Sequence, residues 1–234
     1  MRALFVAAVL LFGVAQFVVP DTVEANNALY AKGIRQTILV VSPQSQGSAF
    51  LFQRTDSAGK PKWFAWTAEH VVEGTDAVDL KVFVWHDGKS VGETVFKAKV
   101  LKAVPGLDFA LLSVEAPPDA FTGTEFASGD PAPPGTLVFI VGNFLGDEYP
   151  CSVSTGIVSQ TGRSPIPWWI LDQTTAAVYP GTSGGPIFNY AGEVLGIVVA
   201  RVDASLGLFV PVRAIEEWAK LAGFEWAVRG KLCP

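Results

Sequence analysis

The sequence predicts an all-β protein, with two six-stranded antiparallel β-barrels followed by a C-terminal α-helix. Short runs rich in β-branched and aromatic residues recur along the chain, and turn-forming residues separate them. This pattern occurs twice, on either side of a proline-rich stretch. Outside the apolar N-terminus, only one segment combines a helical spacing of apolar residues with signals for a helix start and end.

The first half of the chain, residues 34–114, forms the first predicted barrel. Its six predicted strands are residues 36–41, 47–52, 62–67, 78–85, 91–104 and 107–114. The sequence His-Asp-Gly-Lys at residues 86–89 is typical of a turn between the fourth and fifth strands. Six short strands separated by turns predict a small closed barrel.

Residues 115–135 differ in composition from the two halves of the chain that flank them. They contain Pro117, Pro118, Pro131, Pro133 and Pro134. Because proline cannot donate a ladder hydrogen bond, this density excludes an interior strand. We expect the segment to link the two barrels.

The second half, residues 136–211, repeats the strand pattern. Its predicted strands are residues 136–141, 152–160, 168–174, 187–189, 194–201 and 206–210. A helix is predicted over residues 212–223, because Pro211 precedes it, Gly223 ends it, and the apolar Val212, Ile215 and Ala219 share one face with Ala222. Residues 224–234 form a tail.

The N-terminus has the composition of an export signal. Arg2 precedes an almost wholly apolar run over residues 3–19, and Val23-Glu24-Ala25 fits a small-x-small cleavage site. We expect residues 1–25 to be a signal peptide that is cleaved after Ala25. The alternative is an uncleaved anchor that attaches the chain to a membrane through residues 3–19, a run on the short side for a span. Both readings predict an exported protein, either secreted or periplasmic.

Composition limits the classes of partner. The 234 residues are 50% hydrophobic, enough for a sizeable core, and the net charge is −5 without a basic run. This balance argues against nucleic acid as a partner. With two histidines and two distant cysteines, the chain has no evident ligand cluster, so we expect no metal and no organic cofactor.

Residues 179–186 read Tyr-Pro-Gly-Thr-Ser-Gly-Gly-Pro. Glycines allow a tight turn that directs consecutive backbone N–H groups at one point. Ser183 would supply a nucleophile there, and the N–H groups of Gly181 and Ser183 would form an oxyanion hole. The plainer reading is a glycine-rich hairpin loop with an incidental serine.

A neutral serine needs a base, and the base needs a partner that fixes its tautomer. His70 follows an apolar strand-like run, and Asp108 lies at the start of another. Along the chain, the base His70 comes first, the carboxylate Asp108 second and the nucleophile Ser183 last. This is the order of the chymotrypsin arrangement. The other histidine, His86, lies in a predicted turn. Glu69, beside His70, is expected to raise the histidine pKa slightly.

Three motifs together resemble those of the trypsin-like serine proteases, in particular the bacterial HtrA/Deg branch. They are Thr-Ala-x-His-Val-Val at residues 67–72, Asp-Phe-Ala-Leu-Leu at 108–112 and Gly-Thr-Ser-Gly-Gly-Pro at 181–186. Residues 129–146 and 192–197 also resemble that branch, and the likeness covers roughly residues 34–222. The resemblance implies a chymotrypsin-like fold and a serine endopeptidase that cleaves protein or peptide substrates through an acyl-enzyme.

The resemblance also implies a specificity pocket. Its floor falls at Ala177, and its walls fall at Val199, Ala200, Arg201 and Gly207. An alanine floor favours a small or medium apolar residue at the cut position. Arg201 leaves a second possibility open, because its guanidinium could favour an acidic residue there. Substrate backbone is expected to add as a strand along residues 198–201.

Two departures from relatives affect regulation. Thr182 stands where zymogen-activated relatives carry an aspartate that receives a freed N-terminal amine, so the site is expected not to need that salt bridge. HtrA relatives usually carry a PDZ module after the final helix. This chain ends shortly after residue 223, so we expect no peptide-gated regulation of that kind.

Several alternatives remain at this point. A catalytically silent scaffold of the same fold is the main competitor to an enzyme, although all three triad residue types are present. An α/β-hydrolase esterase is excluded, because its histidine should follow the serine and no histidine follows Ser183. Cys151 and Cys233 either pair as a disulfide, which an exported protein allows, or stay unpaired.

Overall fold

The structure is a computed structural model that describes residues 22–86, 89–115, 123–128, 131–163, 170–203, 206–230 and 233. Most of the predicted signal peptide lies outside the described residues. The same holds for the middle of the predicted turn at 86–89, for the first two residues of the predicted strand 168–174, and for parts of the predicted linker and tail.

The first barrel is closed by six antiparallel strands in the spatial order β1-β2-β3-β6-β5-β4. They are β1 (Thr37–Val41), β2 (Gln46–Thr55), β3 (Pro61–Thr67), β4 (Ala77–His86), β5 (Lys89–Val104) and β6 (Phe109–Val114). The fully buried Trp66 stacks on Phe52 inside this barrel, with ring centroids 5.9 Å apart. Burial of such large rings contributes strongly to the core.

The second barrel is closed in the order β10-β11-β12-β9-β8-β7. Its strands are β7 (Leu137–Phe144), β8 (Tyr149–Arg163), β9 (Leu171–Thr174), β10 (Pro186–Asn189), β11 (Val194–Asp203) and β12 (Leu206–Pro211). The prediction of two six-stranded antiparallel barrels and a C-terminal helix is therefore confirmed.

The C-terminal helix α2 (Val212–Ala222) leaves the second barrel and packs on the first. The ring of Trp218 lies 5.1 Å from that of Phe109 and 6.5 Å from that of Trp66, centroid to centroid. Gly223 ends the helix with a left-handed φ of 76°. Ala222, placed by sequence on the apolar face, is exposed. A short helix α3 (Glu225–Val228) follows, which the sequence analysis did not predict.

An N-terminal helix, α1 (Thr22–Gln36), was also missed by the sequence analysis. It packs on the second barrel through Tyr30, whose ring lies 5.1 Å from that of Phe139 and whose hydroxyl lies 2.9 Å from that of Tyr190. Gly33 permits this approach, since a Cβ there would lie 3.0 Å from Val141. The predicted cleavage point after Ala25 falls inside this helix. None of the helices in the described residues has the length and apolar character that crossing a bilayer requires.

Candidate active site

His70 lies on a short 3₁₀ helix, Glu69–Val71, that follows β3 after one intervening residue, Ala68. Val71 is fully buried and holds this turn against the core, while the side chain of His70 keeps 41% of its surface exposed. The imidazole is therefore fixed at its base and open to a ligand from solvent.

Asp108 immediately precedes β6, and its carboxylate contacts the imidazole of His70. Its two carboxylate oxygens both lie 2.9 Å from Nδ1 of His70, and one also accepts the backbone N–H of His70 at 3.0 Å. Asp108 has a left-handed φ of 55°, which few residue types tolerate as well as aspartate does. Two contacts from one carboxylate thus set both the position and the tautomer of His70.

Acidic residues surround His70. The hydrogen bond that His70 donates to the Asp108 carboxylate raises the pKa of His70 above its ordinary value of 6.5, against the opposing effect of burial. The negative charges of Asp108, Glu69 and Glu73 raise this pKa further. Burial raises the pKa of the Glu69 carboxyl, and the charges of Asp108 and Glu73 act in the same direction. These surroundings therefore stabilise the imidazolium form of His70 more than water stabilises that of a free histidine.

Ser183 belongs to the turn between β9 and β10 and reaches the first barrel. Its carbonyl accepts the backbone N–H of Ser48 at 2.7 Å. Gly184 has φ 86°, and a Cβ there would lie 2.1 Å from the carbonyl oxygen of Ser48 and 2.7 Å from the N of Ala68. Only glycine allows the turn to come this close to the segment that leads to His70.

The hydroxyl of Ser183 donates to the carbonyl of Val199 at 3.4 Å, which is a long hydrogen bond. Within the described residues, no hydrogen bond joins it to His70. The structure therefore brings His70 and Asp108 into direct contact. It places Ser183 at the boundary between the two barrels, with its hydroxyl directed at Val199 on β11.

Two N–H groups of this turn are available for a ligand. Thr182 donates its N–H and its hydroxyl to the carbonyl of Tyr179, at 3.0 and 2.6 Å, and Gly184 donates its N–H to Val198. The N–H groups of Gly181 and Ser183 donate to no acceptor in the part of the chain that the structure describes. Gly181 has φ 91°, a conformation that glycine reaches at little cost.

The five residues assigned by resemblance to the specificity pocket lie beside this turn. Gly207 is paired with Arg201 across β11 and β12, and a Cβ on Gly207 would lie 2.5 Å from Val178. The carbonyl of Ala177 accepts the hydroxyl of Ser154 at 2.8 Å. Val199 is buried and the neighbouring Ala200 is half-buried. The exposed Arg201 has its guanidinium carbon 6.0 Å from the centroid of the Tyr179 ring.

A family model described as "Trypsin-like peptidase domain" matches residues 47–197, well over half of the chain. The chain belongs to this family. The matched range includes His70, Asp108 and Ser183. The resemblance found from the three motifs is confirmed.

Curated relatives of this trypsin-like domain are serine proteases of the DegP and HtrA kind. A probable periplasmic serine endoprotease DegP-like from Marinomonas sp. is 37% identical over 133 residues, which cover 56% of this chain and 26% of the relative. The putative serine protease HhoB from Synechocystis sp. is 35% identical, with 66% and 36% covered. The chain thus spans about a quarter to a third of these relatives' length.

Solved structures show the same fold at low sequence identity. Deg5 superposes with a TM-score of 0.65 at 20% identity, covering 84% of this chain and 93% of that one. The inactive form of Rv3671c from M. tuberculosis gives 0.64 at 23% identity, covering 88% and 94%. The HtrA-type protease AlgW with a tripeptide gives 0.64 at 23%, covering 85% and 64%.

The described residues of this trypsin-like domain form neither a disulfide nor a metal-binding cluster. Of the two alternatives left open for Cys151 and Cys233, the disulfide does not form, and Cys233 is buried where its N–H donates to the carbonyl of Thr55 in the first barrel. Among the described residues, no three side chains of His, Cys, Asp or Glu are grouped so as to hold a metal ion. Trp66 belongs to the core of the first barrel, and Trp63 is half-buried.

Three residues near the turn were missed by the sequence analysis. Ser48 and Asn143 are fully buried and hydrogen-bonded to each other, and Leu145 donates its N–H to the carbonyl of Pro180 at 2.7 Å. For Ser48 and Asn143, the only signal in the sequence was a polar residue within an otherwise apolar segment, and Leu145 gave none.

Proposed function

We propose that this chain is an exported serine endopeptidase that hydrolyses peptide bonds through His70, Asp108 and Ser183. One observation carries the proposal. An imidazole held by a carboxylate lies at the boundary between the two barrels, as does a serine in whose turn two N–H groups meet no acceptor among the described residues. A base, a nucleophile and an oxyanion site are the groups that acyl transfer requires.

The first step follows from these groups. The Ser183 hydroxyl leaves the Val199 carbonyl and turns to Nε2 of neutral His70. As its oxygen bonds to the scissile carbonyl carbon, its proton passes to Nε2. Asp108 stabilises the imidazolium that forms, and the N–H groups of Gly181 and Ser183 donate to the oxyanion. The C–N bond then breaks, and the leaving amine takes the proton from His70.

The second step hydrolyses the acyl-enzyme. Water gives its proton to Nε2 of His70 as its oxygen bonds to the acyl carbon, through the same oxyanion site. Collapse of this intermediate releases the carboxylic acid and returns the proton from His70 to the Ser183 oxygen. His70 acts as base in each attack and as acid in each collapse.

Among the described residues, one edge of β11 has no strand partner beyond Val198, which supports the binding of an extended peptide. On one side, β11 pairs with β12 as far as Asp203. On the other side, its pairing with β10 ends at Ile197, and Val198 bonds to Gly184 and Gly185 of the turn. A substrate strand can therefore add to β11 beyond Val198, beside Ser183. The small Ala177 and Gly207 favour an apolar residue at the cut position.

The proposed location outside the cytoplasm rests on residues 1–25 and on relatives. Several relatives of the DegP kind are described as periplasmic. We propose that the chain is exported to the periplasm or beyond. Retention of residues 3–19 as a membrane attachment is the alternative outcome, and N-terminal sequencing of the exported protein distinguishes it from cleavage after Ala25.

Covalent labelling tests the enzyme proposal against the silent scaffold. The purified protein should hydrolyse casein, and a fluorescent organophosphonate should label it at Ser183. Ser183→Ala should abolish both signals, while Ser57→Ala, at an exposed serine in the turn between β2 and β3, should retain both. Labelling that persists in Ser183→Ala, or a wild-type protein that neither cleaves nor reacts, would overturn the proposal.

A further inference from the structure

Ser48 on β2 has a buried hydroxyl whose bonding capacity is fully used. It is 0% exposed, and its Oγ donates to the carbonyl of Gly181 at 2.7 Å. The same oxygen accepts the backbone N–H of Asn143 at 2.9 Å and its side-chain amide at 3.1 Å. One donor and two acceptor sites are the whole inventory of a hydroxyl.

The backbone of Ser48 binds the same turn. Its N–H donates to the carbonyl of Ser183 at 2.7 Å, and its own carbonyl accepts the hydroxyl of Thr67 at 2.8 Å. Ser48 thus holds the carbonyls of Gly181 and Ser183, the two residues of the turn whose N–H groups find no acceptor in the described part of the chain. Through Thr67 it is also tied to the strand that leads to His70.

The conformation of Gly181 needs such external support. A glycine at φ 91° can exchange between conformations at little cost, and each exchange would turn the adjoining peptide groups. The carbonyl and N–H of a trans peptide point in opposite directions. Leu145 holds the carbonyl of Pro180, which directs the N–H of Gly181 away from Leu145. Ser48 holds the carbonyl on the other side of Gly181.

We propose that Ser48 is a positioning residue for the oxyanion site: a hydroxyl of the first barrel that orients the peptide groups of Gly181 in the second. This inference rests on the proposed function. Ser48 touches no reacting atom, so its loss should weaken binding of the tetrahedral state while leaving substrate binding along β11 intact. Correct docking of the two barrels then becomes a condition for oxyanion stabilisation.

Ser48→Ala tests this, with Thr124→Val as the matched control. Thr124 also has a buried hydroxyl that donates to a backbone carbonyl, that of Leu51 at 2.9 Å. For a peptide substrate, Ser48→Ala should lower kcat between about 10- and 1000-fold, up to the effect of losing one oxyanion donor, with little change in KM. A peptidyl boronate should lose affinity in proportion, because its tetrahedral adduct uses the oxyanion site. Thr124→Val should change neither value.

Other outcomes are equally decisive. Unchanged kcat in Ser48→Ala, or a loss of kcat without a parallel loss of boronate affinity, would overturn the inference. If Ser48→Ala does not fold, Ser48→Cys, which replaces the hydroxyl by a weakly donating thiol, is judged by the same ratio. If wild type and Thr124→Val are both inert, the proposed function fails. A crystal structure of Ser48→Ala still decides the inference, which requires a turned Gly181 carbonyl and is wrong if that carbonyl stays in place.

Discussion

Nδ1 of His70 lies 2.9 Å from both carboxylate oxygens of Asp108, and the backbone N–H of His70 donates to the same carboxylate. A carboxylate that bonds to one residue at two points fixes the ring more firmly than a single contact can. This leaves Nε2 as the nitrogen available to the Ser183 hydroxyl.

Asp108→Asn should therefore abolish most of the activity without unfolding the protein. An amide cannot stabilise the imidazolium, and it can bond to the wrong tautomer. We expect kcat to fall by roughly 1000- to 10,000-fold at neutral pH. Asp172→Asn is not a suitable control because Asp172 forms a buried pair with Arg213. The exposed Asp76→Asn is suitable and should keep wild-type activity. Comparable kcat values for Asp108→Asn and wild type would contradict the role of Asp108.

The acidic residues beside His70 should set the pH profile. Catalysis needs neutral His70, so a raised pKa moves the acid limb of kcat/KM to higher pH. Glu69→Gln and Glu73→Gln each remove a negative charge that stabilises the imidazolium, so each should move the limb to lower pH. The double variant should move it further.

The control for this profile is Glu217→Gln, on the exposed side of α2. Its acid limb should coincide with that of wild type. Added salt should narrow the gap between wild type and the double variant, because partly exposed charges are screened. A limb that moves to higher pH in Glu69→Gln would show that the charge of Glu69 does not act on His70 in this way.

Sequence patterns were sufficient for the two barrels because their strands are marked by local alternation and turns. The helix α1 was missed because its packing residues are only two adjacent pairs, confined to its C-terminal half. These residues, Leu29, Tyr30, Gly33 and Ile34, find partners only in the folded protein. Tyr30 contacts Phe139 and Tyr190 in the second barrel, far away along the chain. No local propensity reports such contacts.

The motifs singled out His70, Asp108 and Ser183, since each lies in a distinctive local sequence. They carried no information on the direction of the Ser183 hydroxyl or on Ser48. Ser48 lies in a segment that is typical of any strand, and its hydroxyl meets Gly181 across 133 residues of chain. Such a contact depends on how the two barrels dock, which only the assembled fold specifies.

Tyr30→Phe should loosen α1 from the second barrel by a small amount. It removes the hydroxyl pair with Tyr190 while keeping the ring contacts. We expect the free energy of unfolding to fall by about 0.5–1.5 kcal/mol in urea titrations. Tyr149→Phe, at an exposed tyrosine, should leave it unchanged.

The same variant should change the titration of Tyr190. The hydrogen bond between Tyr190 and the Tyr30 hydroxyl, followed by burial, raises the pKa of Tyr190 to about 12. Without that hydroxyl, Tyr190 should ionise at lower pH, which ultraviolet titration of the tyrosinate band can follow. An unchanged high-pH transition would show that the two hydroxyls are not paired in solution.

Arg201→Ala should have little effect on the choice of residue at the cut position. The guanidinium is exposed and lies over the Tyr179 ring, and an exposed charge contributes little to binding. Across a set of peptides, the ratio of kcat/KM for apolar and acidic residues should change less than about fivefold. The exposed Arg35→Ala serves as control. A selective collapse of cleavage after glutamate would instead assign Arg201 to recognition of acidic residues.

Gly181→Ala should separate the two demands that the turn makes on this position. A Cβ at Gly181 would lie 2.1 Å from the carbonyl oxygen of Asn143 and 2.7 Å from the N of Gly146, in addition to the strain of φ 91°. We expect an unfolding free energy lower by on the order of 1–3 kcal/mol and a kcat lower by at least about 100-fold. Gly59→Ala shares the left-handed φ, 78°, but meets no atom within 4 Å. It should therefore lose only about 1 kcal/mol and keep full activity. Equal losses of activity in both variants would mean that global stability, rather than the geometry of the Gly181 peptide, limits catalysis.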